Sequence, residues 1–244
     1  MGFFDKIDKI KYYKTDFTKK AGDIIIATSK GRNDSLKSIK VPEKFLAPRK
    51  IDSRDMCLSS SNQGRLPHCG GYSTAGYIEY HNWRTKHYPE QVDGDLIYKE
   101  AKKVDGYDGD GTYLWAAIEG AMNAGLIEGE PVYLDHAFEE YLDDNSEDGI
   151  IDMFKFALHQ YGTVIAGFNI TDEWDWVDKK TGRIRVFDNP TFKGGHAVLL
   201  CGYDSYGIYI QNSWGDSWGH HGFGCLSWNQ FDQQVIDGMV IKAT

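Results

Sequence analysis

The chain of 244 residues is 41% hydrophobic, 14% aromatic and 26% charged, which is typical of a globular protein and excludes a disordered chain. This length suffices for one large core or for two lobes that share a cleft. The charge is divided unevenly: residues 1–50 carry 13 Lys or Arg against 6 Asp or Glu, a net of +7, and residues 51–244 carry 14 against 30, a net of −16. Because the acidic part would repel phosphate, we expect no nucleic-acid partner.

Residues 1–48 are interpreted as a basic extension ahead of a main domain that spans residues 49–244. Four apolar residues near its start lie at helical spacing: Phe3, Phe4, Ile7 and Ile10. They predict an amphipathic helix over Phe3–Tyr13, and a β-like segment follows at Ile24–Ile26. An apolar stripe has to be buried and opposite charges attract, so we expect the extension to pack on the main domain or to dock on a larger assembly.

No targeting segment is recognisable in the chain. The first residues carry charges every few positions, where a secretory signal would need an apolar run. The longest apolar runs, Ile24–Ala27 and Ala197–Cys201, are too short to span a bilayer. The four cysteines lack the spacing of a zinc site or of an obvious disulfide framework, although a bridge between Cys57 and Cys225 stays open. We therefore expect a cytoplasmic protein with no membrane partner and no bound metal.

Helical patterns precede strand patterns in the main domain. Helices are predicted at Cys69–Trp83, Thr112–Ala124 and Ile150–Tyr161. Strands are predicted at Thr163–Ile170, Ile184–Phe187, His196–Cys201, Ile208–Asn212 and Phe223–Trp228. This order predicts an α+β fold with a helical lobe of about residues 60–145 and a β-rich lobe of about residues 150–240.

Three segments combine rare residues with glycine. Near the C-terminus, Asn212–Gly219 contains two tryptophans that are each followed by glycine, which permits a close approach of the backbone. Upstream, a glycine pair precedes His196. Further upstream, Asn62–Cys69 places a glutamine, Gln63, six residues before a cysteine. Such a combination rarely arises by chance.

These segments resemble the glutamine, cysteine, histidine and asparagine boxes of the papain-like cysteine peptidases, peptidase family C1, in the order of that family. His196 lies 127 residues after Cys69 and Asn212 lies 143 residues after it, close to the spacing in papain and the cathepsins. The resemblance covers about residues 50–244. It implies a two-lobed fold in which the active-site cleft lies between a helical lobe and a β-rich half-barrel lobe.

The resemblance implies four catalytic residues. Cys69 would be the nucleophile, since an imidazole and a helix N-terminus both favour its thiolate. His196 would take the thiol proton, and Asn212 would orient the imidazole ring. Gln63 would donate a hydrogen bond to the oxyanion. The reaction on a peptide or protein would pass through a thioester that water hydrolyses, and it would need no cofactor.

The expected substrate-binding residues are Gly111, Thr112, Tyr113, Gly195 and Trp214. The family resemblance also implies that Trp214 covers the contact between the histidine and the asparagine, and helix packing is the alternative for Tyr113. Leu66 replaces a cysteine of the animal and plant enzymes, and residues 108–113 replace their disulfide-bearing glycine-rich segment. This departure indicates the disulfide-free branch of bacteria and phages, so a phage-associated enzyme fits the expectation.

Two alternatives of other classes remain from the sequence. The chain could be a catalytically silent papain-fold module that binds or supports a partner, or an acyltransferase or autoprocessing enzyme on the same fold. The extension of residues 1–48 also has three interpretations: a pro-segment that blocks the cleft, a docking arm, or a simple enlargement of the core.

Overall fold

The computed structural model describes residues 12–14, 37–39, 41–42, 44–58, 60–88, 90–135 and 149–242. The α-helices in these ranges are α1 (Cys69–Lys86), α2 (Gly94–Ala101), α3 (Leu114–Asn123), α4 (Gly149–Tyr161) and α5 (Trp228–Gln234). The strands are β1 (Tyr12–Lys14), β2 (Lys37–Ser38), β3 (Ile51–Asp52), β4 (Glu130–Asp135), β5 (Val164–Thr171), β6 (Trp176–Asp178), β7 (Phe192–Tyr203), β8 (Gly207–Gln211), β9 (Phe223–Ser227) and β10 (Val235–Lys242).

The large sheet has the strand order β2-β4-β10-β5-β7-β8-β9, and β3 adds to β7. Its neighbours are antiparallel except for β2 and β4. β5 and β7 form the longest ladder, from Val164 opposite Leu200 to Thr171 opposite Phe192. Because β7 pairs with strands on both sides, it is buried from Gly194 to Tyr203, and this buried part carries His196.

The helices pack on this sheet and on one another. α1 packs against β7 and against α2, and α2 packs against α3. The Tyr77 hydroxyl of α1 donates to the Ile241 carbonyl over 3.1 Å and accepts the Ile241 N–H over 2.9 Å. These two bonds attach the middle of α1 to strand β10, so the N-terminus of α1 has a fixed position relative to the sheet.

Most of the elements predicted for the main domain are confirmed. The predictions at 69–83, 112–124, 150–161, 163–170, 196–201, 208–212 and 223–228 correspond to α1, α3, α4, β5, β7, β8 and β9. Sequence reasoning missed α2, α5, β3, β4, β6 and β10. Local signals mark the two helices: Asp93 caps the N-terminus of α2, and Ser227 forms a capping box with Gln230 at the start of α5. The four strands pair with distant parts of the chain.

The predicted strand at Ile184–Phe187 is wrong. Only Ile184 and its neighbour Arg183 form isolated bridges there. The Arg185 N–H still donates to the Trp176 carbonyl of β6 over 2.9 Å. The Arg185 carbonyl, however, accepts the Gln230 side-chain amide over 3.1 Å, and the Phe187 N–H donates to the Glu173 side chain over 2.8 Å. Because side chains satisfy these last two groups, no ladder extends.

The predicted helix at residues 3–13 lies outside the described residues except for its end, and there the prediction is wrong. Tyr12 and Tyr13 belong to β1, which pairs antiparallel with β6, so their backbone groups bond between strands. The β-like segment at residues 24–26 lies outside the described residues. All four cysteines are free thiols, so Cys57 and Cys225 are not bridged. Over the described part of the chain, no helix is both long enough and apolar enough to cross a bilayer.

Candidate active site

Cys69 is the first residue of α1, and two glycines follow it for steric reasons. A Cβ atom on Gly70 would lie 3.0 Å from the Cγ2 atom of Thr112, and one on Gly71 would lie 2.2 Å from the Gly94 carbonyl oxygen. The N-terminal turn of α1 is therefore in close contact with α2 and with the segment that precedes α3. This packing holds the thiol at a helix N-terminus, where the helix dipole favours a negative charge.

The Cys69 thiol lies beside strand β7. The backbone N–H groups of Ala197 and Gly70 lie near its sulfur and act to lower the pKa of the thiol. Burial nevertheless raises the pKa of the thiol to about 11, against the lowering effect of these donors. Since Ala197 directly follows His196, the packing of α1 on β7 brings the predicted nucleophile and the predicted base together.

The hydrogen bonds of His196 determine which ring nitrogen carries the proton. His196 Nε2 lies 2.8 Å from Asn212 Oδ1, and the Ser213 N–H donates to the same Oδ1 over 2.8 Å. A backbone N–H can only donate, so this atom is the amide oxygen, and Nε2 must supply the other hydrogen. The neutral imidazole therefore has its lone pair on Nδ1, which is buried and has no hydrogen-bond partner.

The protonation state of the pair follows from its burial. Burial lowers the pKa of His196 to about 4, although the hydrogen bond with Asn212 acts in the opposite direction. Burial also raises the pKa of Cys69, so the neutral imidazole and the neutral thiol are favoured together. The family resemblance implied that His196 takes the thiol proton, and this transfer would produce a thiolate and an imidazolium. In this closed site, each charge by itself would be poorly solvated.

Three tryptophans surround the imidazole. The Trp214 ring lies over His196 with 4.8 Å between centroids, and Trp174 meets it edge-on at 6.0 Å. Trp218 packs against both and donates from Nε1 to the Trp174 carbonyl over 3.0 Å. This apolar cover excludes water from the bond between His196 and Asn212. Sequence reasoning missed Trp174. Its local signal is the run Glu173–Trp176, in which two tryptophans alternate with two acidic residues.

Gln63 is attached to the loop that carries Asn212. Its backbone N–H donates to the Ser213 carbonyl over 2.9 Å, and the Ser213 hydroxyl donates to Gln63 Oε1 over 2.5 Å. One hydrogen of Gln63 Nε2 goes to the Leu66 carbonyl over 2.8 Å. A primary amide has two hydrogens, so the second can bind another oxygen.

The structure places three of the predicted substrate-binding residues together. Gly111, Thr112 and Tyr113 immediately precede α3, and Thr112 touches the position of Gly70 beside the thiol. Only Tyr113 among them is partly exposed, and its ring stacks on Trp115 at 5.6 Å. The ring contact agrees with the alternative of helix packing for this residue.

The other two predicted substrate-binding residues lie in the β-rich lobe. Gly195 precedes His196 in β7 and pairs with Asn169 of β5. Trp214 is only 2% exposed because it covers the imidazole, so in this structure it offers no open surface to a substrate. Its position agrees with the covering function that the family resemblance implied.

Comparison with known proteins gives a consistent result. A family model described as papain family cysteine protease matches residues 47–243. Xylellain, a cysteine protease from Xylella fastidiosa, is 23% identical with a TM-score of 0.62, and the match covers 85% of this chain and 92% of xylellain. Procathepsin B S9 from Trypanosoma congolense is 16% identical with a TM-score of 0.66, covering 93% of this chain and 87% of its own.

Procathepsin L 3 from the larval midgut of Tenebrio molitor is 16% identical with a TM-score of 0.64, and the match covers 98% of this chain and 85% of that one. A search of curated proteins gave no match. At these identities, the structural likeness establishes the fold. The predicted α+β architecture with a helical lobe and a β-rich lobe is confirmed.

Proposed function

The chain belongs to the papain family of cysteine proteases, which are thiol protease hydrolases, and we propose that it cleaves peptide bonds through a thioester formed on Cys69. One observation carries the proposal: the thiol at the start of α1 lies beside Ala197, and the adjacent His196 keeps Nδ1 unprotonated and unpartnered. A thiol needs such a base, because the neutral thiol is a poor nucleophile.

In the first step, the Cys69 proton moves to His196 Nδ1 as the sulfur attacks the peptide carbonyl carbon. The S–C bond forms, and the π electrons of the carbonyl move onto its oxygen. The imidazolium that results has hydrogens on both nitrogens, and Asn212 Oδ1 already accepts the one on Nε2. The N-terminus of α1 stabilises the negative charge that develops during this transfer.

The oxyanion needs hydrogen-bond donors at the moment when it forms. Two groups support an oxyanion site here: the backbone N–H of Cys69, at the free start of α1, and the second hydrogen of Gln63 Nε2. The C–N bond then breaks, and His196 Nδ1–H protonates the leaving amine. Water attacks the thioester with Nδ1 as base, and the thiol leaves with the proton, which restores the neutral pair.

We also propose that the extension of residues 1–48 packs on the catalytic domain. Three contacts support this placement. β1 pairs with β6, β2 pairs with β4, and the Phe45 ring meets the Phe156 ring edge-on at 5.0 Å. Residues 1–48 carry a net charge of +5 and residues 49–244 a net charge of −14, so the two parts also attract each other. Docking on a larger assembly is the alternative.

The test compares peptide hydrolysis by the wild type, Cys69→Ala and Cys57→Ala. Cys57 is a free, half-buried thiol whose sulfur donates to the Ser53 carbonyl, so its removal is a matched control. We expect Cys69→Ala to lose activity by several orders of magnitude, roughly 10⁴-fold or more, and to lose labelling by an epoxide thiol reagent. Cys57→Ala should retain both.

Two results would contradict this proposal. Wild-type turnover by Cys69→Ala would remove Cys69 as the nucleophile. A wild type that neither cleaves a peptide library nor reacts with the epoxide would favour the catalytically silent module. If the acyl group appears on an added amine, as detected by product mass, the acyltransferase alternative is favoured.

A further inference from the structure

Helix α2 and the residue that follows it present two polar side chains to the glycine-containing segment of residues 105–112. Tyr98 and Lys102 are four residues apart, so they lie on the same helical face. The Tyr98 hydroxyl accepts the Gly111 N–H over 3.2 Å. Lys102, the residue directly after the helix, extends its ammonium group toward the middle of the same segment.

Four oxygen atoms surround the Lys102 ammonium. The carbonyl oxygens of Tyr107, Gly109 and Gly111 lie at 2.5, 3.1 and 3.3 Å, and Asp105 Oδ2 lies at 2.8 Å. An ammonium has three hydrogens, so at least two of the four oxygens share one of them. The segment therefore folds around a cation that the chain itself supplies.

Asp105 connects this cation to both ends of the segment. Its Oδ1 accepts the Tyr107 N–H over 3.0 Å, and its Oδ2 accepts the Thr112 hydroxyl over 2.9 Å. The Asp105 side chain has no exposed surface. In the neighbouring pair of Lys103 and Glu100, by contrast, the lysine side chain is 58% exposed. A buried carboxylate needs a paired cation, so Lys102 and Asp105 stabilise each other in a way that a surface pair does not.

The segment held by Lys102 ends beside the thiol. The Thr112 Cγ2 atom occupies the space that a side chain on Gly70 would need, at 3.0 Å from the position of its Cβ. A shift of Thr112 would therefore change the surface next to Cys69. All four cysteines are free, so no disulfide holds this segment in place.

We propose that Lys102 is a positioning residue for peptide binding, because its ammonium fixes the segment of residues 105–112 that forms the wall of the cleft beside Cys69. The inference rests on the proposed peptidase function and goes beyond it. The lysine touches neither the peptide nor the reacting atoms, and it acts through Gly111 and Thr112.

The experiment compares Lys102→Met with Lys103→Met, which removes the same charge from the adjacent, exposed residue. KM and kcat are measured with a fluorogenic peptide, and the alkylation rate of Cys69 is measured with iodoacetamide, which is too small to need the wall. For Lys102→Met we expect KM to rise roughly tenfold, kcat to change less than about threefold, and alkylation to stay the same. Lys103→Met should behave like the wild type.

A second variant separates the wall from global stability. Lys102→Met leaves the Asp105 carboxylate buried without its cation, and this could unfold the protein. The double variant Lys102→Met/Asp105→Asn removes that charge and keeps the shape of the side chain. We expect it to recover the wild-type melting temperature and to keep the raised KM, since the three carbonyls still lack their donor.

Two outcomes overturn the inference. The first is a KM within about twofold of the wild type in a folded variant that lacks Lys102. The second is a parallel fall of kcat and alkylation rate, which would place the effect on the catalytic pair. Failure of the peptidase proposal gives a different result, because the wild type itself would then not cleave the peptide.

Discussion

His196 Nε2 donates its hydrogen to Asn212 Oδ1 over 2.8 Å, and the backbone N–H of Ser213 donates to the same oxygen over 2.8 Å. The second bond identifies the acceptor as oxygen, and the first then fixes the proton of the neutral imidazole on Nε2. The buried Nδ1 is left as the basic nitrogen. The amide of Asn212 thus selects the tautomer that a proton transfer from Cys69 requires.

Asn212→Ala should lower kcat by roughly 100-fold, because the ring loses both its orientation and the acceptor for Nε2–H. The expected change is in kcat more than in KM, since the amide does not contact the peptide. Steady-state kinetics with a fluorogenic peptide measure both. Asn229→Ala, on the exposed face of α5, is the matched control and should have wild-type kinetics. Equal kinetics for both variants would contradict the orienting function.

The pH dependence of kcat/KM should show a wide plateau. The active form holds one proton between thiol and imidazole, and a second proton on His196 inactivates it. Burial lowers the pKa of His196 to about 4, so activity should fall only as the pH drops toward that value. Cys69 governs the loss of the shared proton. Because burial raises the pKa of Cys69 to about 11, the alkaline limit of kcat/KM should lie well above neutral pH. If kcat/KM instead falls near the ordinary pKa of histidine, then His196 is more exposed to water in the active enzyme than in this structure.

Glu79 should make the stability depend on pH. This α1 residue is 3% exposed, its Oε1 accepts the Val92 N–H over 2.9 Å, and it lines a cavity of about 20 Å³ that Gln211 also lines. Burial raises its pKa to about 7. The folded protein therefore binds the proton more tightly than the unfolded chain does. The contribution of Glu79 to stability is largest below its ordinary pKa of 4.5 and is lost as the pH rises to about 7.

Glu79→Gln should remove this dependence, because the amide stays neutral. At about pH 8 we expect the variant to exceed the wild type by about 3 kcal/mol in unfolding free energy, and at a pH below 4.5 we expect no gain. Urea unfolding at the two pH values measures the difference. The exposed Glu128→Gln is the control and should follow the wild type. The prediction would be contradicted if, from the lower to the higher pH, the unfolding free energy of the wild type rose relative to that of Glu79→Gln.

A form of the protein that begins at Arg49 tests the function of the extension. If residues 1–48 inhibit, this form should hydrolyse peptides faster than the full chain, and the separate peptide of residues 1–48 should inhibit it. Because the net charge of +5 on residues 1–48 attracts the net charge of −14 on residues 49–244, that inhibition should weaken as salt is added. Unchanged activity in a stable product would contradict inhibition. An unfolded product would mean that contacts such as the 2.9 Å bond from the Tyr203 hydroxyl to the Pro48 carbonyl are needed for stability.

Most of the candidate site could be predicted from the sequence. Cys69, His196, Asn212 and Gln63 each stand in a short segment with glycine or tryptophan neighbours, and their order and spacing point to one family. The start of α1 at Cys69 could be read as well, because helical periodicity and the glycines after the cysteine are local features. Local features of this kind depend on residues within a few positions of each other, so they survive in a single sequence.

Only the tertiary structure decided how distant residues act on that site. Trp174 meets the His196 ring, and Lys102 holds the segment beside the thiol, yet neither residue has a local pattern that assigns it there. The raised pKa of Cys69 and the lowered pKa of His196 are also tertiary properties, because both arise from burial when α1 packs on β7. Burial and contact between residues far apart in the chain depend on how the whole chain packs, and spacing along the sequence does not encode them.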